Sequence, residues 1–147
     1  MQTFITDFNM KKNAENLDNK RLGKQRVEGL TIASILLDKF NNKKGWRNHP
    51  AVKMWKGYEE FLLYFYLQWI FHEWIKKGFK NEKCAETYER LCNTCKYPGF
   101  ENIKTPKWLD VHFIESHRSN LIRKNPEFYK PLFPDTKEGL EYIWPVS

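Results

Sequence analysis

Apolar residues recur at intervals of three and four along most of the chain, and no stretch alternates apolar with polar residues as a half-buried strand does. The segment from Asp18 to Phe40 shows the helical spacing most clearly. Asp18 suits its N-cap, because an Asp carboxylate there accepts a hydrogen bond from a backbone N–H of the first turn. We therefore predict one helix of about two dozen residues. Its core-facing stripe comprises Leu22, Ala33, Leu37 and Phe40.

The segment from Ala51 to Lys77 is apolar around most of its circumference and is rich in aromatic residues. A helix with this pattern belongs in the middle of a fold, where neighbours cover it on all sides. We predict a single long central helix here. Asn48 is its predicted N-cap, Pro50 lies in its first turn, and Gly78 is the C′ residue that ends it.

Weaker periodic segments complete the prediction. Asp7 is expected to cap a helix over Met10–Leu17, and further helices are expected over Glu82–Asn93 and Lys107–Lys124. Pro126 is expected to stop the last of these. The remaining tail is predicted to wrap the surface in irregular turns, anchored by Phe128, Phe133, Tyr142 and Trp144. The sequence therefore predicts an all-α fold, with one compact domain over residues 1–147 built around the aromatic central helix.

The charge of the chain adds a prediction about function, namely that the protein binds a charged partner. There are 25 Lys and Arg residues against 18 Asp and Glu, for a formal net charge of +7. The excess is concentrated in 18–28, 42–56 and 118–130. Clusters of this kind favour a polyanionic partner, most simply nucleic acid, although ordinary surface charge that serves solubility produces a similar total.

Several classes of protein are disfavoured. The chain contains no P-loop, no H-E-x-x-H and no G-x-S-x-G motif, and its acidic residues are not clustered as a metal-dependent nuclease requires. No apolar run reaches the ~20 residues of a membrane span. Cys84, Cys92 and Cys95 are an odd set without a preceding signal peptide, which favours free thiols in the cytoplasm over half of a zinc site at Cys92 and Cys95.

Glu28 is the most informative polar residue of the first long helix. Arg21, Gln25 and Glu28 are spaced to share one face. The surrounding cations Lys20, Lys24 and Arg26 favour the ionised carboxylate. A lone carboxylate in a basic site suits cleavage of a glycosidic bond, because it stabilises the positive charge that develops on the sugar. The nucleophile in such a reaction is either water or an amine. The alternative interpretation is a solvated helix surface.

Two further polar groups are candidates for binding. Asn48 and His49 precede the aromatic helix, and Ser116–Asn120 reads S-H-R-S-N, which has the composition of a phosphate-binding segment. With Arg123 this segment forms a polar stripe on its helix. The alternative is that His49 and His117 are capping or packing histidines.

These strings resemble the pyrimidine-dimer DNA glycosylase/AP-lyase family, the endonuclease V-like proteins. Residues 21–28, R-L-G-K-Q-R-V-E, resemble the family pattern H-L-x-x-E-x-x-E that ends on its catalytic Glu. His49 followed by K-K-G-F at Lys76–Phe79 is similar to the second family landmark, a histidine and then K-R-G-F. Arg118 followed by Lys124–Tyr129 is similar to the third, a helix with Arg that leads to K-x-x-x-R-P-x-W-Y. Further strings, such as G-W-R-N-H-P, look like those of a bacterial and phage subgroup.

The resemblance implies an all-α, metal-free enzyme without a cofactor that flips a damaged or modified pyrimidine, such as a pyrimidine dimer, out of duplex DNA. It places the catalytic carboxylate on Glu28. The family uses the α-amine of a small residue exposed by removal of Met. Gln2 is too large for that removal, so here the amine either belongs to Met1 or takes no part in the chemistry. Val27 replaces the family's Arg, which makes Arg26 the compensating catalytic residue, and Arg21 replaces its His.

The expected site therefore has Glu28, Met1 and Arg26 as catalytic residues. The expected DNA-binding residues are Lys20, Arg21, Lys24, Gln25, Trp46, Arg47, Asn48, His49, His117, Arg118, Ser119, Asn120, Arg123, Lys124 and Tyr129. We expect a monomer in the cytoplasm, associated with the nucleoid or encoded by a phage. The competing hypotheses are a non-catalytic protein that binds nucleic acid or nucleotides, and an enzyme that acts on free modified nucleotides.

Overall fold

The computed structural model describes residues 1–38 and 44–145. This part of the chain contains helices and no strands, so the all-α prediction is confirmed. Its helices are α1 (Met10–Asn16), α2 (Asn19–Leu37), α3 (Pro50–Lys53), α4 (Glu59–Phe61), α5 (Gln68–Lys76), α6 (Glu82–Thr94), α7 (Val111–Lys124) and α8 (Pro126–Leu132). A π-helical segment, Leu62–Leu67, joins α4 to α5, and short 3₁₀ turns lie at Lys44–Asn48 and Phe100–Asn102. No helix in the described ranges is long and apolar enough to cross a membrane.

Helix α2 begins as predicted, with Asp18 as its N-cap. The Asp18 carboxylate accepts a hydrogen bond from the Arg21 N–H at 3.3 Å and another from the Tyr129 hydroxyl at 2.5 Å. The same hydroxyl accepts a bond from the Asp18 N–H, so α8 is tied to the start of α2. The helix ends at Leu37, and the predicted end at Phe40 lies outside the described residues.

The single long central helix is not confirmed. Helix α3 ends at Lys53, and the chain then turns through Gly57 before a continuous helical segment runs from Glu59 to Lys76. Gly57 has φ +90°, a value that favours glycine, and its N–H donates to the Glu59 carboxylate at 3.0 Å. The break is therefore encoded locally. Gly78 also has φ +90° and follows the last turn of α5, as predicted.

The aromatic segment nevertheless forms the middle of the core. Its fully or almost fully buried side chains are Trp55, Phe61, Leu62, Leu63, Tyr66, Leu67, Ile70 and Phe71. Helix α2 lies directly against it, because a Cβ atom on Gly29 would come within 2.5 Å of a Leu67 methyl carbon. This close contact fixes the position of α2, and with it the position of Glu28, relative to the core.

Three predicted boundaries are wrong. Asn9 rather than Asp7 caps α1, and α7 begins at Val111 rather than Lys107, because Asp110 accepts the first-turn hydrogen bond from Phe113 N at 2.9 Å. His49, not Asn48, caps α3.

The predicted irregular tail contains a helix. Asn125 caps α8, and Pro126 occupies its first turn, where proline starts a helix as readily as it ends one. Phe133 is buried and Tyr142 and Trp144 are partly buried, as expected of anchors. Phe128 is 43% exposed, so it does not anchor the chain.

Candidate active site

Residues 1–6, which we call the N-terminal segment, are not helical, and four of them are buried: Thr3, Phe4, Ile5 and Thr6. Buried backbone groups require partners, and here side chains supply them. Phe4 N donates to Gln25 Oε1 at 2.7 Å, and Ile5 N donates to His117 Nδ1 at 3.0 Å. Thr6 N donates to Asn13 Oδ1 at 2.6 Å. Helices α1, α2 and α7 therefore hold the segment together.

Gln25 connects the N-terminal segment to Glu28. Its Oε1 accepts hydrogen bonds from Phe4 N and from the Tyr66 hydroxyl, the latter at 2.5 Å. Because Phe4 N is a donor, this assigns the oxygen of the amide to that side. The Nε2 atom then donates to Gln2 O at 3.1 Å and to Glu28 Oε2 at 3.4 Å. With its side chain buried and each end of the amide bonded, Gln25 has one orientation available.

The Glu28 carboxylate faces the start of the chain. Its Oε2 accepts a hydrogen bond from Gln2 N at 3.1 Å in addition to the bond from Gln25. Three covalent bonds separate Gln2 N from the amino group of Met1, so the carboxylate and that amino group lie in the same site. This is the juxtaposition on which a carboxylate-assisted amine chemistry depends.

His49 interacts electrostatically with the Met1 amino group. Burial lowers the pKa of His49, and the positive charge of the Met1 amino group lowers it further. Its Nδ1 accepts a hydrogen bond from Ala51 N at 3.0 Å, which places the proton of the neutral ring on Nε2. The ring lies 5.4 Å from that of Trp46 and 5.8 Å from that of Trp144. The site therefore combines a carboxylate, an amine and aromatic surfaces.

Cations from two helices meet beside Glu28. Burial lowers the pKa of Lys124, the charges of Arg21, Lys24 and Arg123 lower it as well, and the Glu28 carboxylate opposes them. The end of α7 thus joins the basic face of α2. Lys20 is exposed on α2, next to this cluster in sequence.

The fold does not place the Arg26 side chain beside Glu28. Two residues along an α-helix correspond to a rotation of about 200°, so Arg26 points to the far side of α2. Its guanidinium donates to Asn81 Oδ1 at 3.1 Å and to Cys84 Sγ at 2.9 Å, and it lies 4.6 Å from the ring of Trp74. In this structure it joins α2 to α6.

The polar stripe on α7 is occupied by the chain itself, which corrects the picture of an open phosphate-binding segment. Ser119 Oγ accepts a hydrogen bond from Leu140 N at 3.0 Å, and Arg123 Nη2 donates to Leu140 O at 3.1 Å. Asn120 Nδ2 donates to Ser116 O at 2.9 Å and makes a longer contact, 3.5 Å, with Leu140 O. These bonds hold residues 140–145, which we call the C-terminal tail.

Other residues of the predicted DNA-binding set support the frame. His117 has no exposed surface and orients the N-terminal segment. Tyr129 is equally buried and bonds to Asp18. Arg118 Nε donates to Thr6 O at 2.7 Å, and its guanidinium lies 4.8 Å from the ring of Phe133. The polar atoms of these residues bond to other groups of the chain, which is the physical reason that they do not form an open binding surface here.

The C-terminal tail places aromatic rings next to the N-terminal segment. The Tyr142 ring stacks on His117 at 4.5 Å, its hydroxyl donates to Thr3 O at 3.3 Å, and the Trp144 ring lies 4.6 Å away. Burial raises the pKa of Tyr142, and the charge of Glu28 raises it further. The sequence showed no local signal that the tail would pack on the N-terminal segment, since the two are more than 100 residues apart.

Trp46, Arg47 and Asn48 are exposed beside this site. Among the described residues, no three His, Cys, Asp or Glu side chains come together in a group that would hold a metal ion. Cys84, Cys92 and Cys95 are partly buried thiols without a disulfide.

Comparison with known proteins identifies one relationship. A family model described as pyrimidine dimer DNA glycosylase matches residues 1–87, which is more than half of the chain. No curated protein and no solved structure matches the chain. The matched region includes Gln25, Glu28 and His49, but neither α7 nor the C-terminal tail.

Proposed function

The chain belongs to the pyrimidine dimer DNA glycosylase family, and on that premise we propose that it excises a damaged or modified pyrimidine from duplex DNA with Glu28 as the catalytic carboxylate. The observation that carries this proposal is the hydrogen bond from Gln2 N to Glu28 Oε2, which brings the carboxylate beside the Met1 amino group. Neither group needs to move far to act on the same sugar.

The proposed reaction starts with the target nucleotide turned out of the duplex. The neutral Met1 amino group attacks C1′ of its sugar, and the bond from C1′ to the base breaks as the new C1′–N bond forms. The electron pair leaves with the base, and the amine loses a proton. The ionised Glu28 stabilises the positive charge that the sugar carries during this exchange.

AP-lyase activity would follow from the same intermediate. Opening of the sugar ring gives a protonated imine between Met1 and C1′, and the ring oxygen becomes a hydroxyl group. Loss of a C2′ proton then breaks the bond between C3′ and its phosphate oxygen, which cleaves the strand. Water finally hydrolyses the imine and restores the amine. If water instead attacks C1′ directly, base release occurs without the imine.

The cations beside Glu28 are proposed to bind the DNA backbone. Lys124 interacts electrostatically with Arg21, Lys24 and Arg123 and with the Glu28 carboxylate, and phosphates adjacent to an extruded nucleotide would neutralise these cations. The rings of Trp46 and His49 would contact the extruded nucleotide, because one surface of the pair is exposed beside the Met1 amino group. Arg47, Asn48 and Lys20 would contribute at the edge of this surface.

We propose that the remaining predicted site residues hold the site in position. Arg26 would fix α2 through Asn81 and Cys84, and Gln25 would orient Glu28. His117, Arg118, Ser119, Asn120 and Tyr129 would hold the segments that surround the site.

Glu28→Gln tests the proposal on duplexes that carry a cyclobutane dimer or another modified pyrimidine. We expect single-turnover base release to fall by about 10³-fold, because the positive charge on the sugar loses its stabilising partner, while DNA binding is retained. The matched control is Glu86→Gln, the same change at an exposed position on α6, which should release base at the wild-type rate. Base release by Glu28→Gln at the control rate would refute the proposal.

A further inference from the structure

A second basic region lies outside the candidate active site. A cavity of about 500 Å³ opens between the Gly57 turn and the loop that precedes α7. It is lined by Lys56, Gly57, Tyr58, Lys104, Thr105 and Lys107, and we call it the lysine notch. Its charged side chains are all cationic. The mechanism proposed for Glu28 uses none of them.

Buried residues anchor the loop that carries two of these lysines. Ile103 and Pro106 are buried, whereas Lys104 and Lys107, which follow them directly, are exposed. The side of the loop that faces the core is therefore apolar, and the side that faces solvent is basic. Because both anchors sit in the core, the two lysines are presented from a fixed backbone.

Hydrogen bonds join this loop to the Gly57 turn, where Lys56 lies. Trp108 Nε1 donates to Met54 O at 2.8 Å, and Lys107 N donates to the Tyr58 hydroxyl at 3.3 Å. The rings of Tyr58 and Trp108 also meet edge to face. The three lysines therefore come from segments that are distant in sequence but fixed relative to each other.

The lysine notch is connected to the candidate active site by a line of further cations. Lys56 also lines a neighbouring groove with Arg47, Asn48 and Lys53. Glu59 is the acidic residue of this groove, and its carboxylate accepts the hydrogen bond from Gly57 N. Next to Arg47, the ring of Trp46 contacts His49. The His49 ring lies 5.8 Å from that of Trp144, which packs on Tyr142 beside the N-terminal segment.

We propose that the lysine notch binds backbone phosphates of the DNA duplex that flanks the target nucleotide. Duplex DNA carries one charge per ~1.7 Å of its axis, so a line of separated lysines meets successive phosphates. The charged groups of the notch itself are three ammonium groups, which suit phosphate oxygens and read no sequence. The inference that the duplex runs from the candidate active site towards the notch rests on the proposed function, because the line of cations is traced from that site. The affinity of the notch for DNA does not depend on catalysis.

The test compares two variants with the same loss of charge. The first is Lys56→Gln, Lys104→Gln and Lys107→Gln together. The control is Lys76→Gln, Lys80→Gln and Lys83→Gln, which changes exposed lysines at the far end of the Glu59–Lys76 helical segment, roughly 25 Å away along its axis. The thermal unfolding of both variants is measured as well, to check that these exposed substitutions leave the fold intact.

Binding is measured on undamaged duplexes of two lengths over a series of salt concentrations. On the longer duplex, about 30 base pairs, we expect the notch variant to reduce the slope of log K against log salt by about 2 to 3 and to weaken binding at least tenfold. On a duplex of about 10 base pairs, which offers about a third of the phosphates, the loss should be smaller. Equal losses for the notch variant and the control, or equal losses at both lengths, would overturn the proposal.

Two further results separate this proposal from the proposed function. A length-dependent loss in the notch variant supports the notch even if the wild-type protein releases no base from any duplex, in which case the proposed function fails alone. Normal base release with no length-dependent loss overturns the notch alone. Equally tight binding of duplex RNA, with the same dependence on the three lysines, would overturn the assignment to DNA.

Discussion

The N-terminal segment and the C-terminal tail are both non-helical, and both lie against α7 beside Glu28, yet they are held in different ways. In the N-terminal segment, Phe4, Ile5 and Thr6 are buried, and the side chains that bond to their N–H groups are themselves buried. In the tail, Leu140 and Tyr142 are only partly buried and Ile143 is 38% exposed. Side-chain hydrogen bonds to the backbone of Leu140 and Ile143, together with ring contacts of Tyr142, hold it.

This difference shows which part of the site is fixed before substrate arrives. Removing a buried partner leaves an unsatisfied backbone group, which costs about 1–3 kcal/mol, so the N-terminal segment cannot leave without disrupting the core. The exposed groups of the tail regain hydrogen bonds with water when it detaches. Glu28 and the backbone of Gln2 are therefore held in place, whereas the aromatic residues Tyr142 and Trp144 belong to the segment that is easier to displace.

The largest effect should come from His117, which holds the N-terminal segment from α7. Burial lowers the pKa of His117 from 6.5 to about 3. Between these values the unfolded chain binds a proton that the folded protein does not. The free energy of unfolding therefore falls as the pH drops through this window, by on the order of 5 kcal/mol in total and roughly 3 kcal/mol by pH 4.

Urea unfolding at pH 7 and pH 4 measures this change in the free energy of unfolding. His117→Gln retains an acceptor for Ile5 N but does not titrate, so the wild-type protein should lose about 3 kcal/mol more than the variant between the two pH values. Parallel losses would show that His117 is not buried in its neutral form, and that the N-terminal segment is held no more firmly than the tail.

The next effect should come from Gln25. Gln25→Leu leaves Phe4 N buried without its acceptor, and we expect unfolding to require about 2 kcal/mol less. Gln25→Glu retains acceptors for Phe4 N and Tyr66 but replaces the donor that lies 3.4 Å from Glu28 with a second carboxylate oxygen.

Gln25→Glu should therefore slow base release more than Gln25→Leu does, because it places a carboxylate oxygen against Glu28 and the Gln2 carbonyl. Urea unfolding and single-turnover kinetics on the same preparations give both quantities. A Gln25→Glu protein with the wild-type rate would show that Gln25 does not orient Glu28.

The smallest effect should come from Ser119, which holds the tail. Ser119→Ala removes the acceptor for Leu140 N, a loss of about 1 kcal/mol that should appear as local opening and not as global unfolding. Hydrogen exchange at Leu140 should become about fivefold faster, while the Ile5 amide in the same sample should exchange at its wild-type rate. Faster exchange at both amides would mean that the two segments open together, which would contradict the comparison.

The parts of this site that follow from local spacing could be predicted from the sequence. Asp18 as a cap and the shared face of Gln25 and Glu28 depend only on helical geometry. The prediction that Arg26 lies beside Glu28 is wrong, because two residues that are close in sequence need not lie on the same face of a helix. The partners of Arg26, Asn81 and Cys84, come from a helix more than 50 residues away.

The stripe on α7 illustrates the other limit. Its composition correctly indicated polar groups on one face, but the sequence contained no signal that Leu140 and Ile143 would occupy Ser119 and Ser116. The break at Gly57 was missed because the apolar pattern continues across it, while the positive φ of one glycine interrupts the helix.

The most direct test of the account is to trap the enzyme with borohydride on a duplex that carries an abasic site or a cyclobutane dimer, and to map the reduced adduct by peptide mass spectrometry. The account predicts an adduct on the peptide that begins with Met1, with none formed by a protein whose N-terminus is extended. An adduct on a lysine such as Lys124, or base release without any adduct, would contradict the claim that the Met1 amine beside Glu28 is the nucleophile.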